Sequence, residues 1–270
     1  MDAGLGRDAL TAALGLVTGA LSGAFGVGGA IVSQPGIRAL GIAPLVAVGT
    51  TLPSILPSAV SGSLRYRREG MIDRTAVLFT VPVGLVASVG GALASDVVPG
   101  DGHVLMLMTA GLLAFTAVRL LRGARAGAPD EPADPPTSPG GVATQRRQRS
   151  GFVAVGAVAG GLSGLLGIGG GVVMVPGFTQ LAGMALKRAI ATSLVCVGLF
   201  AIPGTVTHAL QDQIDWRVAL ILAITVIPGS VLGAVLTLRA GEQRLRLAVG
   251  LFLVVIAVVY ATGEVVALFD

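Results

Sequence analysis

Two segments of the chain carry the same backbone chemistry. The first reads Ser22-Gly-Ala-Phe-Gly-Val-Gly-Gly-Ala-Ile-Val-Ser-Gln-Pro35-Gly, and the second Ser163-Gly-Leu-Leu-Gly-Ile-Gly-Gly-Gly-Val-Val-Met-Val-Pro176-Gly. Ser, five glycines and Pro recur at a constant offset of 141. Each glycine inside a helix costs about 1 kcal/mol relative to alanine, so Gly-x-Gly-Gly predicts a break, followed by a short helix over 30–37 and 171–178. A restarted helix presents unpaired N–H groups and the positive end of its dipole. Flexible glycine backbone there forms a nest for an anion. The expected chemistry is anion binding by Gly26, Gly28, Gly29 and Ala30 in one copy and Gly167, Gly169, Gly170 and Gly171 in the other.

Hydroxyl groups recur with the glycines. Ser22 matches Ser163, and Thr50-Thr51 matches Thr192-Ser193 after a one-residue shift in offset. These side chains are candidate donors to an oxyanion, although a hydroxyl in a helix is equally well satisfied by its own helix carbonyl. Gln34 faces only Val175 in the comparison, so a role for it would be asymmetric. His208 lies near the end of an apolar stretch beside Thr205 and Thr207, where an interfacial residue is the simplest expectation. No cluster of nucleophile, base or acid falls in any apolar stretch, so an enzyme is not expected. No phosphate-binding loop and no metal-ligand spacing occur, and no cofactor is expected. The one cysteine, Cys196, reads as a small apolar filler.

The elements that position these residues are membrane helices. Of 270 residues, 53% are apolar and 12% charged, with a mean hydropathy of +0.87; soluble domains carry about a quarter charged residues. Charge is absent from 9–37, 39–64, 75–95, 104–118, 152–186, 189–211, 218–238 and 247–263. Most of these stretches suffice to cross a hydrocarbon core of about 30 Å at 1.5 Å per residue. The unwound backbone at each break is tolerated in a membrane only where protein buries it or it lines a cavity. Gly19-x-x-x-Gly23 and Gly160-x-x-x-Gly164 also fit close helix packing. No cleavable signal peptide is expected.

The duplication extends beyond the breaks. Gly62 falls on Gly204, Ile72-Asp73 on Ile214-Asp215, and Gly91-Ala92 on Gly233-Ala234. This divides the chain into a first repeat over 1–121, a polar, disordered linker over 122–150, and a second repeat over 151–270. The basic residues then set the topology. Loop 65–74, region 119–149, Lys187-Arg188 and region 239–246 hold 15 of the 18 Lys and Arg residues. The positive-inside rule places all four on the cytoplasmic side. That arrangement requires the first apolar stretch of each half to enter, turn at the glycines and leave on the same side. The expected fold is all-α and integral to the membrane: two inverted-topology repeats, each a re-entrant broken-helix hairpin plus three transmembrane helices. The alternative is eight full spans. Both termini are expected outside a bacterial inner membrane, with Trp216 and Tyr66 as interfacial anchors. The high pI of about 10.2 is assigned to lipid-facing topology signals, so no nucleic acid partner is expected.

The twice-repeated Ser-Gly-x-x-Gly-x-Gly-Gly-[Ala/Gly] with its Pro, followed by Ala-x-[Gly/Ala]-Thr-[Thr/Ser]-Leu at Ala47–Leu52 and Ala189–Leu194, resembles the sulfite exporter TauE/SafE family of permeases. The resemblance covers about 9–95 and 152–266. It implies a secondary transporter, an exporter of sulfite or a related organosulfur anion. A passive anion channel of the same architecture and a non-transporting scaffold subunit are the alternatives. Besides substrate and lipid, a homodimer partner is compatible with the sequence. Ala30, opposite Gly171, departs from the repeat and makes the two half-sites unequal.

Overall fold

A computed structural model describes residues 3–95, 110–111, 113–118, 121–122, 142–166 and 170–269. Among the described residues the regular structure is all helical, with no strand. The helices are α1 (Ala3–Phe25), α2 (Ala30–Ala39), α3 (Pro44–Arg68), α4 (Arg74–Ser95), α5 (Val142–Leu166), α6 (Gly171–Gln180), α7 (Leu186–Leu210), α8 (Trp216–Arg239) and α9 (Glu242–Phe269). The two short helices expected after the breaks are α2 and α6, each of 10 residues. Helical residues also occur between 110 and 122, within the expected 104–121 stretch. The expected linker lies outside the described residues over 123–141, but 142–150 is helical and lengthens α5. Arg149 there sits 5.4 Å from the centre of the Phe79 ring on α4, a favourable cation–π geometry.

Two helix pairs make the most extensive contacts, α1 with α8 and α4 with α5. Glycines permit both. A Cβ on Gly19 would lie 2.3 Å from the Val226 carbonyl oxygen, and one on Gly233 2.0 Å from that of Ala20. In the second pair, a Cβ on Gly160 would lie 2.1 Å from the Gly84 carbonyl oxygen, and one on Gly156 2.5 Å from that of Thr80. Gly19 corresponds to Gly160 and Val226 to Gly84, so the same register is used twice. Backbones this close gain dispersion contact that larger side chains would forbid. Contacts advance together along each pair: Arg7 meets Asp215 and Thr237 meets Ala24. Thus α1 and α8 run parallel, as do α4 and α5.

Capping fixes where the long helices begin. The Asp215 carboxylate accepts from the Val218 N–H at 3.2 Å, and that of Asp73 accepts from the Ala76 N–H at 3.0 Å. Each satisfies an orphan donor of the first turn. Pro44 stands at the start of α3, where a missing N–H carries no penalty. Among the described residues, four helical stretches are long and apolar enough to cross a membrane: Gly6–Phe25, Arg74–Gly91, Leu186–Leu210 and Trp216–Arg239. Their outward faces carry exposed Leu78, Val86, Leu220, Ile224 and Leu236, a continuous apolar surface that water would not tolerate. The protein is an all-α membrane protein.

Candidate functional site

The two breaks meet. A Cβ on Gly171, at the start of α6, would lie 2.6 Å from the Val27 Cα and carbonyl carbon and 2.7 Å from the Gly26 oxygen. Gly28 sits against Val197, at the middle of α7. Gly26 and Gly28 adopt φ of +66° and +76°, and Gly170 a φ of +66°, a region that L side chains avoid. The chain then reverses: Gly29 packs on Thr18 and Gly36 on Leu14, so α2 runs back along α1. Neither α2 nor α6 has a side-chain N-cap. Their first turns therefore direct partial positive charge into the junction.

The opposite polarity is neutralised. At the end of α1, Tyr66 donates to the Gly23 carbonyl at 2.7 Å and Thr237 to that of Ala24 at 2.8 Å. Ser193 donates to the Gly26 carbonyl at 2.9 Å. Orphan carbonyls at a broken helix end thus gain partners, while neither helix start has a side-chain cap. Phe25, Val27, Val172, Ile190 and Leu194 form one buried cluster around this place. A low-dielectric surround strengthens the field of the helix ends.

The expected site residues divide into three groups. Gly26, Gly28, Gly29, Ala30, Gly170 and Gly171 lie at or beside the junction, and Gly167 and Gly169 lie outside the described residues. Ser193 touches the break through Gly26, and Ser163 lies beside Gly170. The remaining hydroxyls have other partners. Ser22 accepts from Ser58, and Thr51 donates to the Val48 carbonyl. Thr50 accepts from the Asp215 N–H at 2.9 Å, and Thr192 from the Asp73 N–H at 3.1 Å. Those two threonines clasp the loops before α8 and α4 and do not line the junction.

Tyr66 is no interfacial anchor. It is fully buried, because its hydroxyl is needed at the broken end of α1. Trp216 is largely exposed at the start of α8, as an anchor should be. His208 Nδ1 lies 2.7 Å from Gln213 Oε1, Gln34 is buried on α2, and Cys196 is fully buried among apolar neighbours. One residue escaped the sequence reading. The Thr18 hydroxyl is buried without a hydrogen-bond partner, on a side chain packed against Gly29. A polar residue in an apolar stretch was its only signal.

The family described as Sulfite exporter TauE/SafE matches residues 11–260. The chain belongs to the sulfite exporter TauE/SafE family. Its TauE/SafE relatives are membrane transporters by name. A probable membrane transporter protein of Xylella fastidiosa is 31% identical over 90% of both chains. The probable membrane transporter protein YunE of Bacillus subtilis is 28% identical, over 90% of this chain and 93% of its own. The probable membrane transporter protein MJ0441 of Methanocaldococcus jannaschii is 25% identical, over 87% and 88%. No solved structure matches this chain. Like its relatives, the protein is a membrane transporter.

Proposed function

We propose that this transporter carries a small oxyanion, sulfite or an organosulfonate, out of a bacterial cell by alternating access. The anion binds between the first turns of α2 and α6. The observation that carries the reading is the junction itself: two helix starts without a side-chain cap brought together, with the adjoining carbonyls already partnered. Backbone N–H groups at helix starts bind anions without a fixed cation, and paired broken helices of this kind mark transporter sites. Thr18, beside Gly29 with a free hydroxyl, adds a side-chain donor. The choice of sulfite rests on the family.

The transport cycle needs two exchangeable halves, 1–121 and 151–270, inverted and joined by a cytoplasmic linker. The matched seams of α1 with α8 and α4 with α5 support the pairing. Support for re-entrant hairpins comes from the ends of α1 and α3. Arg7 of α1 and Thr50 of α3 both meet Asp215, so chain entry and exit lie at one level of the bundle. Although α1 is long enough to cross, its break folds the chain back along it. Six spans and two hairpins, with both termini outside, follow from this reading. The test is sulfite efflux from vesicles by Gly28→Leu and Gly171→Leu variants. Flux is expected to be lost while the protein still inserts; undiminished flux in either would refute the site.

A further inference from the structure

A groove of about 980 Å³ opens between the end of α3, the start of α4 and α7. Val60, Leu64, Val77 and Leu78 line its length, and Arg67 and Arg74 stand at one end. Val60, Leu64 and Leu78 are at least half exposed, on the apolar outer face of the bundle. Neither arginine is paired with a carboxylate among the described residues. The nearby acids are already engaged: Glu69 with Arg65 at 2.7 Å, and Asp73 with Arg188 at 3.9 Å and the Ala76 N–H. Ser63, also lining the groove, has a buried hydroxyl with no hydrogen-bond partner. The groove thus pairs an apolar wall with two free guanidinium groups and an unused hydroxyl.

The repeat supplies an internal control. The corresponding surface on the second half keeps the apolar wall, as Ile202, Val206 and Leu220. Its polar end is rebuilt: Ala209 replaces Arg67, Trp216 replaces Arg74, and Asp212 replaces Gly70. Thr205, in place of Ser63, donates to its own helix carbonyl of Ala201 at 2.8 Å. Cationic and hydrogen-bonding capacity exists on one face only, so it is not a by-product of the fold.

We infer that this groove binds one anionic phospholipid, with its phosphate between Arg67 and Arg74 and an acyl chain along Val60, Leu64 and Leu78. Guanidinium groups suit phosphate through paired N–H donors, and basic pockets beside membrane helices hold anionic headgroups. A free anion would have no use for the apolar wall. The groove is separate from the helix-end junction, and its occupancy does not depend on which anion is transported.

The experiment places the intact protein in nanodiscs of phosphatidylcholine alone or mixed with phosphatidylglycerol. Phosphatidylglycerol is expected to raise Tm by about 2–4 °C, the shift of one added net contact in a protein of this size. Arg67→Gln/Arg74→Gln should lose most of that shift, while Arg65→Gln, outside the groove, keeps it. Should the double variant fail to fold, Gly70→Asp replaces it. That change copies Asp212, which has φ of 54° where Gly70 has 67°, and it brings negative charge to the groove. Equal Tm in both lipids, or a shift that survives these variants, would overturn the inference. So would an equal, arginine-dependent shift from inorganic phosphate in lipid-free detergent, which would make the groove an aqueous anion antechamber.

Discussion

At the first break, Gly29 enters α2 with right-handed backbone (φ −72°) and Ala30 follows it; at the second, Gly170 is left-handed (φ +66°) and Gly171 follows. Thr18 packs on Gly29, whereas its counterpart Ala159 presents a carbonyl to Gly170, 2.6 Å from where a Cβ would stand. In their helix seams and loop clasps the halves agree closely. Both use a glycine seam in one register, and both clasp a loop through a threonine and an aspartate. What the repeats share holds the bundle together, and the differences at the breaks fall at the proposed binding site. The proposed alternating-access cycle gives a reason for that division. Its scaffold must be exchangeable between two orientations, whereas its ligand is a single molecule that two identical half-sites would not surround.

The sharpest way to break this comparison is to exchange the residues that differ. Gly171→Ala brings the second break to the sequence of the first, but its Cβ would fall 2.6 Å from the Val27 backbone. Backbone on both sides leaves no flexible group to yield. We expect sulfite flux to fall roughly tenfold or more, equivalent to at least about 1.4 kcal/mol. Ala30→Gly removes one methyl from a buried position and should leave flux near the wild-type level. Vesicle efflux measures both. Equal losses would mean that the half-sites are equivalent and that the junction geometry is not limiting.

The breaks, their offset and the ensuing short helices were legible in the sequence because glycine and proline act locally. The expected helix over 30–37 is found as Ala30–Ala39, and that over 171–178 as Gly171–Gln180. The destinations of the hydroxyls were not legible. Thr50 meets a residue 165 positions away and Thr192 one 119 positions away; no local pattern encodes such a pairing. Tyr66 misled for a related reason. Aromatic side chains near basic residues usually mark the interface, but the unmet Gly23 carbonyl drew this one inward. Charge misled once more at 142–150, where an Arg-rich stretch suggestive of a solvated linker continues α5.

Tyr66 gives a second, smaller test of the difference between halves. Its counterpart His208 bonds Gln213 in a partly buried loop contact and touches no break. Tyr66→Phe leaves the buried Gly23 carbonyl without this donor and should cost about 1–3 kcal/mol. His208→Ala removes a contact that water can replace and should cost less than about 1 kcal/mol. Thermal unfolding in detergent compares them. A larger loss at His208 would show that the α1 end does not depend on its tyrosine clamp.

A comparably small effect tests what the halves share. Thr50→Val and Thr192→Val each remove an acceptor from a backbone N–H while conserving side-chain shape. Both bonds are of ordinary length, 2.9 and 3.1 Å, and both serve the residue that caps the following helix. Each loss should cost about 0.5–1.5 kcal/mol, the net worth of one hydrogen bond. The nearby ion pairs, Arg7–Asp215 at 3.7 Å and Arg188–Asp73 at 3.9 Å, are partly exposed and should not distinguish the two sites. One clasp lies in the first half of α3 and the other just beyond its end, about 27 Å apart along the helix for 18 residues at 1.5 Å each. The double variant should therefore equal the two singles added, within about 0.5 kcal/mol. Matching, additive costs would identify the clasp as a duplicated scaffold element. A cost at one end alone would extend the asymmetry of the breaks into the framework, and the halves would then be unequal hinges as well as unequal half-sites.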